Sequence, residues 1–252
     1  MRHILLFSGG YDSTLLLADM ISKCNDEDEI VAITIRNNLT GESKNRREES
    51  AQHLILHELR KRYPKIRIVH EIIKVESEWQ LYVRDTNRGL AQPLMWLCSV
   101  IPMIENRDIV YLGYLKDDDA GAYMSHIKGL WENAMQIQDG KSIKLEMPFK
   151  CYTKMDVLKY LIRDYDYLFD LCTSCEGLSY HETDVCGQCV PCTHLKCALI
   201  QLCVSDIYSV REKAKEVLDK KFGFKISVEV TTDNDNKCNN DADEDVNYVL
   251  DN

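Results

Sequence analysis

The sequence predicts an α/β protein: a doubly wound, parallel, five-stranded sheet followed by a small cysteine-rich helical region. Two observations carry this expectation. Short apolar runs rich in Ile, Val and Leu alternate with longer amphipathic stretches over residues 1–165, the pattern of a parallel sheet covered by helices on both faces. Six of the eleven cysteines then fall between Cys172 and Cys197, in a stretch with little apolar periodicity of its own.

The elements follow in chain order. Strands are expected over residues 4–7, 30–35, 66–73, 109–113 and 143–147, and helices between them over 14–23, 44–62, 90–105 and 124–138. Thr153-Lys154-Met155-Asp156 reads as a capping box that opens a further helix over 154–164. A cysteine-rich loop comes next, then helices over 193–203 and 210–220. The expected organisation is therefore an α/β domain over 1–165, a metal-binding helical region over 166–230, and a tail over 231–252 that is acidic and too polar to add core.

Charge narrows the function classes. The net charge is −10, and the tail alone holds seven acidic residues against the single Lys237. Neither part offers the basic surface that counterion-driven nucleic-acid binding needs, which disfavours a polynucleotide substrate. Ser8-Gly9-Gly10 interrupts the apolar opening before a signal-type core is complete, and no later run is long enough for a bilayer; the expected compartment is the cytoplasm, with no membrane partner.

The first strand ends on a phosphate trap. Phe7-Ser8-Gly9-Gly10-Tyr11-Asp12-Ser13-Thr14 runs from an apolar strand directly into a helix. Two glycines let bare N–H groups approach an anion, Ser8 and Ser13 add hydroxyls, and the helix presents its positive end. Asp12 is foreign to a pure anion trap and suits a magnesium ion shared with phosphates. An ordinary glycine turn with a helix cap is the plainer alternative, but five specified positions in a strand–loop–helix setting are hard to meet by chance. No Gly-Lys-Ser/Thr follows, and no Gly-X-Gly-X-X-Gly is present.

Cys175, followed after ten residues by Cys186-Gly187-Gln188-Cys189-Val190-Pro191-Cys192, carries the spacing of a closed four-thiolate zinc site. Cys172 with Cys175, paired with Cys186 and Cys189, makes an equally regular set. An iron–sulfur cluster or a redox pair could use the same residues. His181 and His194 read as surface positions. Trp79, Trp96 and Trp131 read as packing residues before base-stacking ones.

The loop at residues 8–13 resembles the PP-loop signature of the N-type ATP pyrophosphatases, found in amidating ligases and tRNA thiolases. Joined to the late Cys…Cys-X-X-Cys-X-X-Cys site, it resembles the 7-cyano-7-deazaguanine synthase family of the queuosine and archaeosine pathways over residues 4–203. The match includes Met147-Pro148-Phe149 before Thr153-Lys154, and Gly113 with Asp119 after the fourth strand. Arg88 stands where that family has an Arg-Asn step. The resemblance implies an adenine nucleotide alpha hydrolase-like sheet, with ATP, magnesium and zinc as cofactors. It also implies conversion of 7-carboxy-7-deazaguanine with ammonia to the amide and then the nitrile. Phe7, Ser8, Gly9, Gly10, Tyr11, Asp12, Ser13, Thr14 and Gly113 are then expected at ATP. Asp12, Arg88 and Lys154 are expected in catalysis, Asp119 and Tyr123 at the substrate, and Cys175, Cys186, Cys189 and Cys192 on zinc.

The departures cluster on the substrate side. Ala122-Tyr123-Met124-Ser125-His126-Ile127 keeps only the tyrosine of the family's substrate signature, Glu176 follows the first zinc ligand, and Gly89 follows Arg88. They open a second reading, in which the deazaguanine carboxylate is joined to an amine other than ammonia, on a protein or peptide. A tRNA sulfurtransferase is a third reading, opposed by the acidic balance. A non-catalytic, zinc-stabilised nucleotide-binding partner protein is a fourth, opposed by the intact loop. A homodimer or a protein partner is compatible with the sequence.

Overall fold

A computed structural model of the chain describes residues 1–37, 42–75, 92–138, 143–176, 185–227 and 249–250. Strands β1 (Arg2–Leu6), β2 (Glu29–Asn37), β3 (Arg67–Val75), β4 (Ile109–Tyr111) and β5 (Lys144–Glu146) pair in parallel in the order β3-β2-β1-β4-β5. This is the doubly wound five-stranded sheet that the sequence predicts. Helices α1 (Tyr11–Lys23) and α2 (Glu42–Arg62) make the first two crossovers, and α3 (Gln92–Val100) and α4 (Met124–Ile137) lie in the next two. Three more helices follow: α5 (Lys154–Phe169), α6 (Val190–Leu202) and α7 (Tyr208–Phe222).

Alternation along the central strands explains the two layers. Leu5, Phe7, Ile30 and Ala32 pack with α1, α2, α5, α6 and α7, whereas Ile4, Leu6, Val31 and Ile33 pack with α3 and α4. Strands buried on both faces read as continuous apolar runs, which is why they stand out in the sequence. The chain winds outward from β1 to β3, returns across the sheet, and winds the other way through β4 and β5. The loops leaving β1 and β4 therefore diverge, and the carboxyl ends of these two neighbours flank a crevice at the switch point.

Several boundaries differ from the sequence expectation, each for a local reason. Helix α1 starts at Tyr11, not at residue 14, so Asp12 and Ser13 sit in its first turn. Helix α3 ends at Val100, and Pro102 follows in a 3₁₀ turn, Ile101–Met103; a proline has no N–H to continue the α ladder. Helix α5 opens on the expected capping box, with Thr153 and Asp156 exchanging side-chain to backbone hydrogen bonds, and runs on to Phe169 through a non-helical residue, Tyr165. The boundary expected at 165 falls on that residue, and α6 and α7 continue the core of α1. Of the tail, Val249–Leu250 is described and pairs antiparallel with Ile226–Ser227; the rest lies outside the described residues.

Trp131 is a packing residue, buried with its Nε1 donating to the Ile143 carbonyl at 2.7 Å. Trp96 stacks on Tyr114 with centroids 5.8 Å apart. Trp79 and His181 lie outside the described residues. No helix among the described residues is long and apolar enough to cross a membrane.

Candidate active site

The loop after β1 is held both from outside and by its own serines: the Ser8 Oγ accepts from the Gly10 N–H at 3.2 Å. Phe7 still continues the carboxyl end of the central strand: its N–H donates to the Ile33 carbonyl at 2.7 Å, and its own carbonyl accepts the Thr34 hydroxyl at 2.7 Å. Beyond it, the Ser8 carbonyl accepts from Gln52 Nε2 at 3.0 Å, and the Gly9 carbonyl accepts from the Thr173 N–H at 3.0 Å. The Ser13 hydroxyl accepts from the Ser8 N–H at 3.3 Å and donates to the Gly10 carbonyl at 3.2 Å. Gly10 is the extended N-cap of α1 and supplies no side-chain cap, so no cap side chain stands over the first turn of the helix. That turn forms a site of positive potential beside two hydroxyls, suited to a phosphate.

Gly9 has φ +80°, in the left-handed region, and a Cβ there would lie 3.2 Å from Gln52 Cγ and 3.3 Å from Ala51 Cβ. Gly9→Ala is expected to cost about 1–2 kcal/mol through the left-handed backbone alone, and to weaken nucleotide binding more than it lowers the melting temperature. Calorimetric titration with an ATP analogue beside a thermal melt checks this; unchanged affinity would count against the loop as the phosphate site.

Asp12, in the first turn of α1, meets Lys154, the first residue of α5. The Lys154 ammonium donates to both carboxylate oxygens, at 2.8 and 2.6 Å, and both side chains are largely buried. The Lys154 backbone N–H donates to Asp117 at 3.2 Å, and the Leu115 N–H donates to Asp118 at 2.8 Å. Burial pushes the Asp118 carboxyl up, with the charge of Asp12 adding to it against the Leu115 hydrogen bond. Asp12 and Lys154 are 142 positions apart in the chain; the capping box places the lysine and the switch-point crevice brings the two together.

The other expected positions divide into two groups. Ser8, Gly9, Gly10, Asp12 and Ser13 form the loop. The side chains of Phe7, Tyr11 and Thr14 are buried in the core, where the Tyr11 ring packs on Phe169 at 5.0 Å, so these three serve the loop through backbone only. Gly113 lies against the start of α1: a Cβ there would be 3.7 Å from the Asp12 carbonyl. Tyr123 ends the 3₁₀ turn Asp119–Tyr123 and is 61% exposed, edge-on to His126. Asp119 opens that turn. Arg88 lies outside the described residues. Gln52 and Thr173 carry no signal in the sequence; Asp117 and Asp118 belong to the acidic run after the fourth strand, which reads as a solvated loop with Asp119 alone kept as a candidate for magnesium or a substrate amine.

The cysteines resolve in favour of one set. Sγ atoms of Cys175, Cys186, Cys189 and Cys192 all lie within 4.8 Å of one another, and Cys186 and Cys192 are 4.0 Å apart. A tetrahedral ion with metal–sulfur bonds near 2.3 Å needs sulfurs about 3.8 Å apart, so the donor set fits a single metal ion. Backbone N–H groups support the sulfurs: Cys186 donates to Cys175 Sγ at 3.2 Å, Glu176 to Cys189 Sγ at 3.4 Å and Cys189 to Cys186 Sγ at 3.3 Å. Gly187, at φ +71°, turns the chain between the last two pairs. The Gln188 N–H, with help from Cys189, holds the Cys186 thiol down to about 6, while burial pushes Cys192 up. Cys172 stands apart. It is buried with its thiol directed at the Leu168 carbonyl, outside the four-sulfur set, and burial raises it to about 12. Cys197 is exposed and outside the set.

No family model matches the chain, and no curated protein matches it. Among solved structures, the chain is similar to the U34-tRNA thiolase NcsA from Methanococcus maripaludis with its [4Fe-4S] cluster, at 17% identity and TM-score 0.43, covering 87% of this chain and 67% of that one. It is also similar to the NH3-dependent NAD synthetase from Campylobacter jejuni, at 13% identity and TM-score 0.41, covering 88% and 85%. A third is NMN synthetase from Francisella tularensis, at 14% identity and TM-score 0.41, covering 86% and 84%.

Proposed function

We propose that the chain is an ATP-dependent carbon–nitrogen ligase of the 7-cyano-7-deazaguanine synthase type. It would adenylate a deazapurine carboxylate and pass the acyl group to ammonia. The observation that supports this is the uncapped start of α1 with the Asp12–Lys154 pair beside it, at the switch point of the sheet.

The chemistry follows from the charges. A carboxylate oxygen attacks the α-phosphorus of ATP, the bond to the bridging oxygen breaks, and pyrophosphate leaves with the electron pair. Negative charge grows on that leaving group, where the α1 N–H groups and the Ser8 and Ser13 hydroxyls stand ready to take it. Asp12 already gathers one cation, so it suits a magnesium ion, which when bound supplies positive charge to the phosphates. Lys154, at the same place, would neutralise phosphate oxygens. Ammonia then attacks the acyl carbon, AMP departs, and a proton is lost to give the amide. A second ATP adenylates the amide oxygen, and departure of AMP with the nitrogen's remaining protons leaves the nitrile. The four cysteines would hold one zinc ion in a closed site, which has no open position for catalysis and serves the fold.

Incubation with 7-carboxy-7-deazaguanine, ammonia and Mg·ATP is expected to yield AMP and pyrophosphate, with the amide and nitrile resolved by mass spectrometry. ADP as the main nucleotide product would refute α-phosphate chemistry.

A second reading joins the same carboxylate to a larger amine. What favours it is Tyr123, the one residue kept from the family's substrate signature and 61% exposed on its turn. Tyr123→Ala is expected to raise the KM for the carboxylate several-fold and leave that for ATP nearly unchanged, since one aromatic contact is worth about 0.5–1.5 kcal/mol. Steady-state kinetics with each substrate varied in turn checks this. An unchanged carboxylate KM would remove the turn from the substrate pocket.

A further inference from the structure

One hydrogen bond and a two-residue step of chain join the phosphate loop to the cysteine centre. The Thr173 N–H donates to the Gly9 carbonyl at 3.0 Å, and the Thr173 carbonyl lies 3.4 Å from where a Cβ on Gly10 would stand. Two residues later Cys175 enters the four-sulfur set. Helix α2 braces both ends of this segment: Gln52 donates to Ser8, Arg47 donates to the Cys175 carbonyl at 3.3 Å, and Lys44 pairs with Glu176 at 2.9 Å. Gln52 is buried, and the Thr173 hydroxyl has no hydrogen-bond partner, so the backbone N–H of Thr173 is what ties it to the loop.

We propose that Thr173 is a positioning residue for the phosphate loop. Through it, a metal ion on Cys175, Cys186, Cys189 and Cys192 and ATP at residues 8–13 strengthen each other's binding. This rests on the nucleotide and metal readings above. An ion draws Cys175 against the other three sulfurs and fixes the one residue, Ser174, between it and Thr173. That holds the Gly9 carbonyl outward and keeps the start of α1 and the Ser8 and Ser13 hydroxyls facing the phosphates. Without the ion, the mutual repulsion of any thiolates spreads the set, and Thr173 loses its anchor. The loop must then be ordered by the nucleotide itself, at a cost in affinity. Linkage makes the effect reciprocal: whatever factor the metal adds to nucleotide affinity, the nucleotide adds to metal affinity.

The test uses the full zinc-loaded chain and α,β-methylene-ATP with magnesium, a nucleotide that cannot be opened at the α-phosphate. Zinc release to a chromophoric chelator is expected to slow about tenfold at saturating nucleotide, within the usual range of coupling between sites. Hydrogen exchange of the segment 171–176 should show the Thr173 amide losing protection when zinc is removed and regaining it with both ligands present. Thr173→Pro, which has no N–H to donate, should still bind zinc and nucleotide but lose their mutual effect; Thr173→Ala should keep it. A nucleotide that merely stabilised the whole fold would slow release equally in wild type and Thr173→Pro, and that equality would overturn the proposal. If the proline variant does not fold, the exchange measurement decides: unchanged protection of 171–176 on zinc removal overturns it. Nucleotide that binds while zinc release is unaffected sinks the linkage alone. Failure to bind nucleotide at all sinks the reading of the loop with it.

Discussion

Asp12→Asn is expected to lower the rate of AMP formation about 10²-fold or more, the scale on which a preorganised electrostatic contact to a developing charge acts. The substitution keeps the size of the side chain and one of its oxygens, so α1 and its capping geometry are left intact. What it removes is the negative charge that gathers a cation at the first turn of the helix. In the free protein that cation is Lys154, bonded to both carboxylate oxygens. Losing one half-buried ion pair of this kind costs stability on the order of 1 kcal/mol, so the melting temperature should move by only a few degrees. A large loss of turnover with a small loss of stability is therefore the expected combination. Lys154→Met should also slow turnover, and the double variant should lose far less than the product of the two single losses, because the two groups act together. Asp12→Asn turning over within about twofold of wild type would remove Asp12 from the chemistry and leave it as a helix-end charge.

Much of this was legible in the sequence because the chemistry is local. The loop needs glycines, serines and a helix start within six adjacent positions, and the metal set needs cysteines at two-residue gaps. Spacing of that kind survives without knowledge of the fold. The sheet was legible for a related reason: strands buried on both faces are apolar throughout, and a parallel sheet separates them by helices long enough to show a period. What stayed hidden acts through backbone or over long distances. Thr173 reaches Gly9 through its N–H, which any residue but proline would offer, so its side chain leaves no mark in the pattern. Gln52 looks like one more polar residue on a charged helix, and only its burial over Gly9 sets it apart. The choice between Cys172 and Cys175 could not be made from spacing, because both give regular sets. It turns on placement: Cys175 Sγ lies among the other three sulfurs, while Cys172 packs in the core under the end of α5 with a backbone carbonyl for its thiol.

That choice also sets the second large effect. Cys192→Ser is expected to abolish stoichiometric zinc binding and to lower stability by about 3 kcal/mol or more, in the range seen when a metal site or a buried network is broken. For a chain of this size that corresponds to a fall in melting temperature of about 6–12 °C. The reason is the position of the residue. Cys192 is fully buried at the start of α6 and packs with Val185 and Phe222, in a cluster made mostly of the ligand cysteines themselves. With so little apolar surface of its own, this corner depends on the ion to hold Cys175 and the 185–192 turn against α6 and α7. Serine there offers a hard, weakly binding oxygen and leaves three thiols gathered around an ion they hold poorly. Cys172→Ser is the matched control, since it alters an equally buried cysteine only a few residues from the set. It should keep one zinc per chain and cost about 1–2 kcal/mol for burying a hydroxyl in place of a thiol. Metal analysis and thermal melts of both variants decide the matter. Full zinc content and an unchanged melt in Cys192→Ser, or loss of zinc in Cys172→Ser, would show that the sulfurs gathered around Cys192 are a packing cluster and that the metal, if any, sits elsewhere.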